Sequence, residues 1–154
     1  MPQVINNQRK IAIETKLYEV FLIDLFAAVP EIAEKSATVA FISDRRMKEL
    51  NNFFRGKSST TDVLSFPHEA EEFGSLPADA GSSDIFSDEK NFLGDIIISA
   101  EQAERQANEN GLTLENEIQQ LILHGLLHLC GYDHETDDGE MNTIELKLRK
   151  QLGI

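Results

Sequence analysis

Three of the four histidines in this 154-residue chain fall between Leu121 and His134, in the stretch Leu-Ile-Leu-His-Gly-Leu-Leu-His-Leu-Cys-Gly-Tyr-Asp-His. On an α-helix His124 and His128 are one turn apart and about 40° round the axis from one another, so both imidazoles leave the same face. A helix continued to His134 would turn that residue about 280° from His124, pointing it away from the pair. The helix therefore has to stop. Gly131 lies where the stop is needed, because glycine enters the left-handed conformation that ends helices without Cβ strain. The spacing His-x3-His-x2-Gly-x2-His then supplies three nitrogen ligands, His124, His128 and His134, and leaves a fourth tetrahedral position open, as catalytic zinc sites do. One zinc ion per chain is the cofactor this spacing predicts. A single histidine among leucines is usually a core residue bonded to a carbonyl. Three of them in one apolar segment would need three separate partners, whereas one shared cation serves all. A closed structural site with a fourth protein ligand is the alternative within the metal reading.

The residue after the first histidine narrows the chemistry. Zinc peptidases with this spacing carry Glu there as general base for the attacking water. Here it is Gly125. A cation could still bring the pKa of water toward about 7, but the proton acceptor of that peptidase class is missing.

The elements that must position these residues make one α+β domain. The length suits one core, giving a single domain over 1–154, and the 41% apolar and 27% charged composition is that of a soluble globular protein. The sequence has no run long enough to span a membrane and no apolar region after its N-terminal residues that would serve as a secretory signal, which makes the cytoplasm the expected compartment. Cys130, the only cysteine, has no internal disulfide partner and is expected to be a small buried hydrophobe. A first strand is expected within residues 3–13. A helix from Thr15 to Val29 is expected to bury Leu17, Val20, Phe21, Leu25 and Ala28, which step by three and four. Ala37 to Ile42 forms a second strand, and Ser43-Asp44 caps a helix that buries Met47, Leu50 and Phe54 and ends at Gly56. Thr61 to Phe66 is a third strand closed by Pro67, and Phe92 to Ile98 is a continuous apolar strand of the kind buried on both faces. Ser99 to Gln102 reads as a capping box opening a polar helix to Asn110, and Thr113 starts the histidine helix. Met141, Ile144, Leu148 and Leu152 mark a last amphipathic helix. The expected architecture is a mixed sheet of about four strands covered by helices, with the metal-bearing helix central.

Charge is distributed unevenly over this frame. The net charge of −13 would repel phosphate if it were spread uniformly. Yet Arg45, Arg46, Lys48, Arg55 and Lys57 stand against the single acid Glu49 between residues 45 and 57, while 69–91 is an acidic loop insertion with His68 at its root. Local sign decides where a polyanion can lie, so a phosphate-bearing partner would follow the basic helix, with Arg45, Arg46 and Lys48 as candidate contacts, and avoid the acidic loop. A solvated helix face is the other reading of the basic run.

The segment His-Gly-Leu-Leu-His-Leu-Cys-Gly-Tyr-Asp-His at 124–134 closely resembles the signature of the YbeY family, bacterial metal-dependent endoribonucleases of ribosomal RNA maturation. Thr61 to Pro67 and Leu93 to Ser99 resemble two further segments of that family, and the resemblance runs from about Val39 to Leu148. It implies a single-strand-specific, zinc-dependent endoribonuclease that processes the 3′ end of small-subunit rRNA, takes part in ribosome quality control and works with the ribosome or ribosomal proteins, with no membrane or DNA partner. It also matches Arg55 to the family's catalytic arginine in the Asn-x-x-Phe-Arg segment, with Phe54 standing for the more usual Tyr and Thr60 for a usual Pro. A guanidinium there can neutralise charge building on the phosphate. Asp133 is a candidate to orient a ligand or accept a proton, the former being the commoner use of such an acid. A metallopeptidase-like hydrolase and a non-catalytic zinc protein that docks on ribosomes are the rival readings.

Overall fold

The computed structural model describes residues 2–68, 91–133 and 136–154. Four strands, β1 (Gln3–Asn6), β2 (Ser36–Ile42), β3 (Val63–Pro67) and β4 (Phe92–Ser99), form one sheet in the order β1-β2-β4-β3. The first two pairings are parallel and the last antiparallel, with Val39 opposite Ile96 and Ser65 opposite Ile96 from the other side. β4 is therefore central and β3 is an edge. Five helices complete the described fold: α1 (Thr15–Ala28), α2 (Asp44–Arg55), α3 (Ala100–Asn110), α4 (Leu114–Leu129) and α5 (Glu140–Leu152). The sheet is mixed and covered by helices, as the sequence predicted.

Alternation along the strands sorts the helices between two faces. Val39, Phe41, Ile96 and Ile98 point into the main core with Leu22 and Leu25 of α1, Ile118, Ile122 and Leu126 of α4, and Met141 and Leu148 of α5. On the opposite face Ile42 and Leu64 meet Met47 of α2, with Leu50, Phe66 and Ile97 around them. Each such side chain contributes about 1.5–3 kcal/mol relative to exposure, so the main face carries most of the burial. α4 has nine buried positions, from Glu117 to Leu129. It is the central helix.

Three expectations about faces and ends need correction. β1 ends at Asn6, because the amide of Gln8 donates to Asn6 Oδ1 and to the Ile11 carbonyl and folds the chain into a turn. α1 buries Tyr18, Phe21, Leu22, Leu25 and Phe26, whereas Leu17 and Val20 are exposed. Apolar residues lie almost all round that helix, so periodicity does not fix which side faces the sheet. In α2 the buried partner of Met47 is Asn51, and Phe54 is exposed. Of the acidic insertion expected at 69–91, residues 69–90 lie outside the described residues. His68, at its root, is half-buried with its ring against Phe92.

The caps follow the sequence closely. Ser43, Ser99 and Thr113 accept hydrogen bonds from the backbone N–H groups of Arg46, Gln102 and Asn116. Gln102 does not close the reciprocal half of its box, since its side chain accepts from Arg105 instead. Asp44, the first residue of α2, accepts from Ser99 Oγ at 2.6 Å, from Arg105 Nη2 at 2.5 Å and from Thr60 Oγ1 at 3.4 Å. One carboxylate thus ties α2 to α3 and to the connector before β3. Burial pushes that carboxyl up, but the bonds from Ser99, Arg105 and Thr60 and the charge of Arg105 bring it below the ordinary carboxylate range.

Candidate metal centre

Two imidazoles converge at the C-terminal end of α4. His124 and His128 bring their Nε2 atoms to 3.1 Å of each other with the rings nearly perpendicular. Each ring is held from behind. His124 Nδ1 lies 3.3 Å from Glu145 Oε1, and His128 Nδ1 lies 3.0 Å from the Tyr132 carbonyl. A carboxylate and a carbonyl can only accept, so both Nδ1 atoms carry the hydrogen and both Nε2 atoms present lone pairs when the rings are neutral. Lone pairs that close repel unless a cation lies between them. Ligand nitrogens of a tetrahedral site with bonds of ~2.0–2.1 Å lie about 3.3–3.4 Å apart, so the donor set fits a cation such as zinc. Backing of metal-ligating imidazoles by a carboxylate or carbonyl is the usual arrangement.

The helix stops where the spacing required. Cys130 caps α4, Gly131 takes φ +95, and the Tyr132 N–H returns to the Leu127 carbonyl. Tyr132 and Asp133 then fold back to line the same cleft as the two histidines. His134 lies outside the described residues, as does Glu135, and among the described residues no third His, Cys, Asp or Glu completes a metal-binding group. Cys130 is half-buried against the core, and burial pushes its thiol up, with Glu31 adding to and Lys35 opposing that shift. It is a protonated filler of the helix end.

Glu145 was not visible as a site residue in the sequence. It sits on the inner face of α5, 8% exposed, between Ile144 and Leu148, and its Oε1 also receives Arg149 Nη2 at 3.2 Å. Burial pushes its carboxyl up, but the hydrogen bond from His124 and the charge and hydrogen bond of Arg149 outweigh it and leave the group below its ordinary range. The available signal was a carboxylate on the apolar stripe of an amphipathic helix, four residues before an arginine.

The cleft has a volume of about 560 Å³ and runs along the edge strand β3. Because α4 and α2 pack on opposite faces of the sheet, His124 and His128 line it from one side and Arg55 from the other, and Thr61, Asp62 and Ser65 also line it. Arg55 reaches it because α2 ends there: Gly56 turns at φ +67, and the buried Asn51 amide donates to the Ser59 carbonyl at 2.7 Å, pinning the connector. Arg45, Arg46 and Lys48 are exposed along the same helix and are not lining residues of the cleft; Arg45 pairs with Glu49 at 3.8 Å. Gly125 faces the sheet. A Cβ there would come within 2.8 Å of Ile96 Cγ2 and 3.1 Å of Ser65 Oγ, whose hydroxyl donates to the Gly125 carbonyl. A side chain at the position that holds the peptidase glutamate would have to displace Ile96 and Ser65.

The sequence model of the Endoribonuclease YbeY family matches residues 3–153. The chain belongs to that family. Proteins named Endoribonuclease YbeY from Nautilia profundicola and Thermodesulfovibrio yellowstonii are 42% and 35% identical to it, over 80% and 97% of this chain and 76% and 96% of their own lengths. A third, from Acholeplasma laidlawii, is 38% identical over 92% of this chain and 90% of its own. Among solved structures, that of TM1509 from Thermotoga maritima, determined in solution, superposes with a TM-score of 0.61 at 28% identity, covering 99% of this chain and 89% of the other. Membership makes this YbeY chain an endoribonuclease, a hydrolase of RNA phosphodiester bonds.

Proposed function

We propose that the chain cuts single-stranded RNA in the β3 cleft as a zinc-dependent endoribonuclease, with His124, His128 and His134 as ligands of one ion per chain. The single observation that carries the reading is the 3.1 Å approach of two Nε2 atoms whose Nδ1 atoms are both engaged, at one wall of a cleft whose other wall holds Arg55. When bound, the ion supplies Lewis acidity toward a phosphoryl oxygen and toward water. Arg55 offers a planar fork of N–H donors that can hold two phosphate oxygens as charge builds on them. Asp133, exposed and lining the cleft, orients a ligand or takes a proton in this reading. Arg45, Arg46 and Lys48 attract the RNA backbone along α2 and keep it from the acidic 69–90 segment.

The family resemblance and the local charge support ribosomal RNA as substrate, with 3′-end maturation of small-subunit rRNA and ribosome quality control in the cytoplasm as the setting and the ribosome or its proteins as partners. No helix among the described residues is long and apolar enough to cross a membrane. The tight packing of Gly125 against Ile96 and Ser65 weighs against the peptidase alternative. The decisive experiment measures metal content and cleavage of a single-stranded RNA, a duplex and a generic peptide by wild type and Arg55→Ala. Zinc at one per chain, cleavage of the single strand alone and its loss in Arg55→Ala are expected. Cleavage of peptide instead, or a metal-loaded Arg55→Ala cutting at the wild-type rate, would overturn the reading.

A further inference from the structure

Phe53 and Phe54, at the end of α2, are the most exposed large apolar side chains of the described residues, at 80% and 56%. They are not isolated. Phe53 meets Phe54 edge-on at 4.8 Å, and Phe54 meets Phe66 of β3 at 4.9 Å. Phe66 lies between Ser65 and Pro67, both of which line the cleft, and the residue after Phe54 is Arg55. Solvent-facing rings in a group of this kind mark a contact surface. Their setting says for what. Arg55 and Lys57 follow them directly within an otherwise strongly acidic chain, and rings beside cations make a track for single-stranded nucleic acid, the cations following the backbone and the π-faces taking bases. Duplex RNA keeps its bases stacked on one another, so such rings reward only unpaired ones.

We propose that Phe53 and Phe54 form a stacking platform for unpaired bases next to the phosphodiester held in the cleft, so that the choice of single strands is made partly by these two side chains. This rests on the ribonuclease reading above. The test compares cleavage kinetics of a fluorogenic oligoadenylate with those of the same RNA carrying abasic sites around the cut, for wild type, Phe53→Ala, Phe53→Trp and Phe54→Leu. Metal content and thermal melting of each variant report whether the fold is kept, and Phe54→Leu retains apolar bulk against Phe66. Phe53→Ala and Phe54→Leu should each raise KM by roughly 5- to 150-fold on the intact RNA, the range of one lost base stack, while Phe53→Trp keeps the wild-type value. On abasic RNA, wild type should show the raised KM already and Phe53→Ala should add nothing. An unchanged KM in folded, metal-loaded Phe53→Ala, or an equal loss on abasic and intact RNA, overturns the platform and assigns the surface to another partner. A wild type that cuts no RNA removes the ribonuclease reading itself, and the platform with it.

Discussion

The two walls of the cleft are built in opposite ways. The histidine wall belongs to α4, which is buried among α1, α5 and the sheet, and both of its imidazoles are fixed at Nδ1. The arginine wall belongs to α2, which rests on the small cluster of Ile42, Met47 and Leu64 and keeps Arg45, Arg46, Lys48 and Arg55 in solvent. A metal site needs ligands that do not move, whereas a surface for a flexible polyanion needs cations that can adjust. Changes on one wall should therefore be read in metal content and stability, and changes on the other in RNA kinetics alone.

The largest effect should come from the histidine wall. His128→Ala is expected to lose the metal and with it all RNA cleavage, and a full metal complement in that variant, by elemental analysis, would break the assignment. Next is Arg55→Ala, which should cost on the order of 10²–10³ in rate, the size of one lost donor to a developing oxyanion, with metal content unchanged. Arg55→Lys should fall between, since it keeps charge but not the planar fork. Metal loss in either would erase the contrast between the walls. Glu145→Gln sharpens it from behind: metal affinity should fall about 10- to 100-fold, and excess metal should restore turnover, which a role on the substrate itself would not allow.

Smaller effects test the frame. Gly125→Ala forces a Cβ against Ile96 and Ser65, and overpacking of this kind costs about 1–3 kcal/mol, to be read as a lowered Tm without altered RNA specificity. Gly125→Glu should melt lower still and gain no peptidase activity. The smallest is an acid effect at Asp44. Its carboxyl is depressed in the folded chain, so the stability it contributes is present above the ordinary carboxylate range and is lost as pH falls through the depressed value. Asp44→Asn should melt below wild type at neutral pH, and the gap should close in acid. A gap that persists there would show that the ionised carboxylate is not what ties α2 to α3.

Much of this was legible in the residues. His124 and His128 a turn apart, the stop at Gly131 and the caps at Ser43, Ser99 and Thr113 are consequences of local geometry, which a sequence carries in full. What it carried poorly was phase and partnership. Leu17 and Val20 fit a helical period as well as Tyr18 and Leu22 do, and only packing against the sheet chooses between them. Phe54 looked like core because it shares a helix face with Met47 and Leu50, but it is Asn51 that takes the buried position and holds the connector, and Phe54 is left exposed. Glu145 is twenty-one residues from His124, and no local pattern pairs them. The strand order, with β4 inserted between β2 and β3, is likewise a property of distant contacts.

That distance also fixes an order in time. A chain is made from its N-terminus, so both imidazoles of α4 exist before the carboxylate that orients one of them. An unfinished chain ending before Glu140 holds every histidine of the protein but neither Glu145 nor the arginine behind it. On the proposed metal reading, full affinity for the ion is thereby a mark of completion, reached when α5 has been synthesised and has docked.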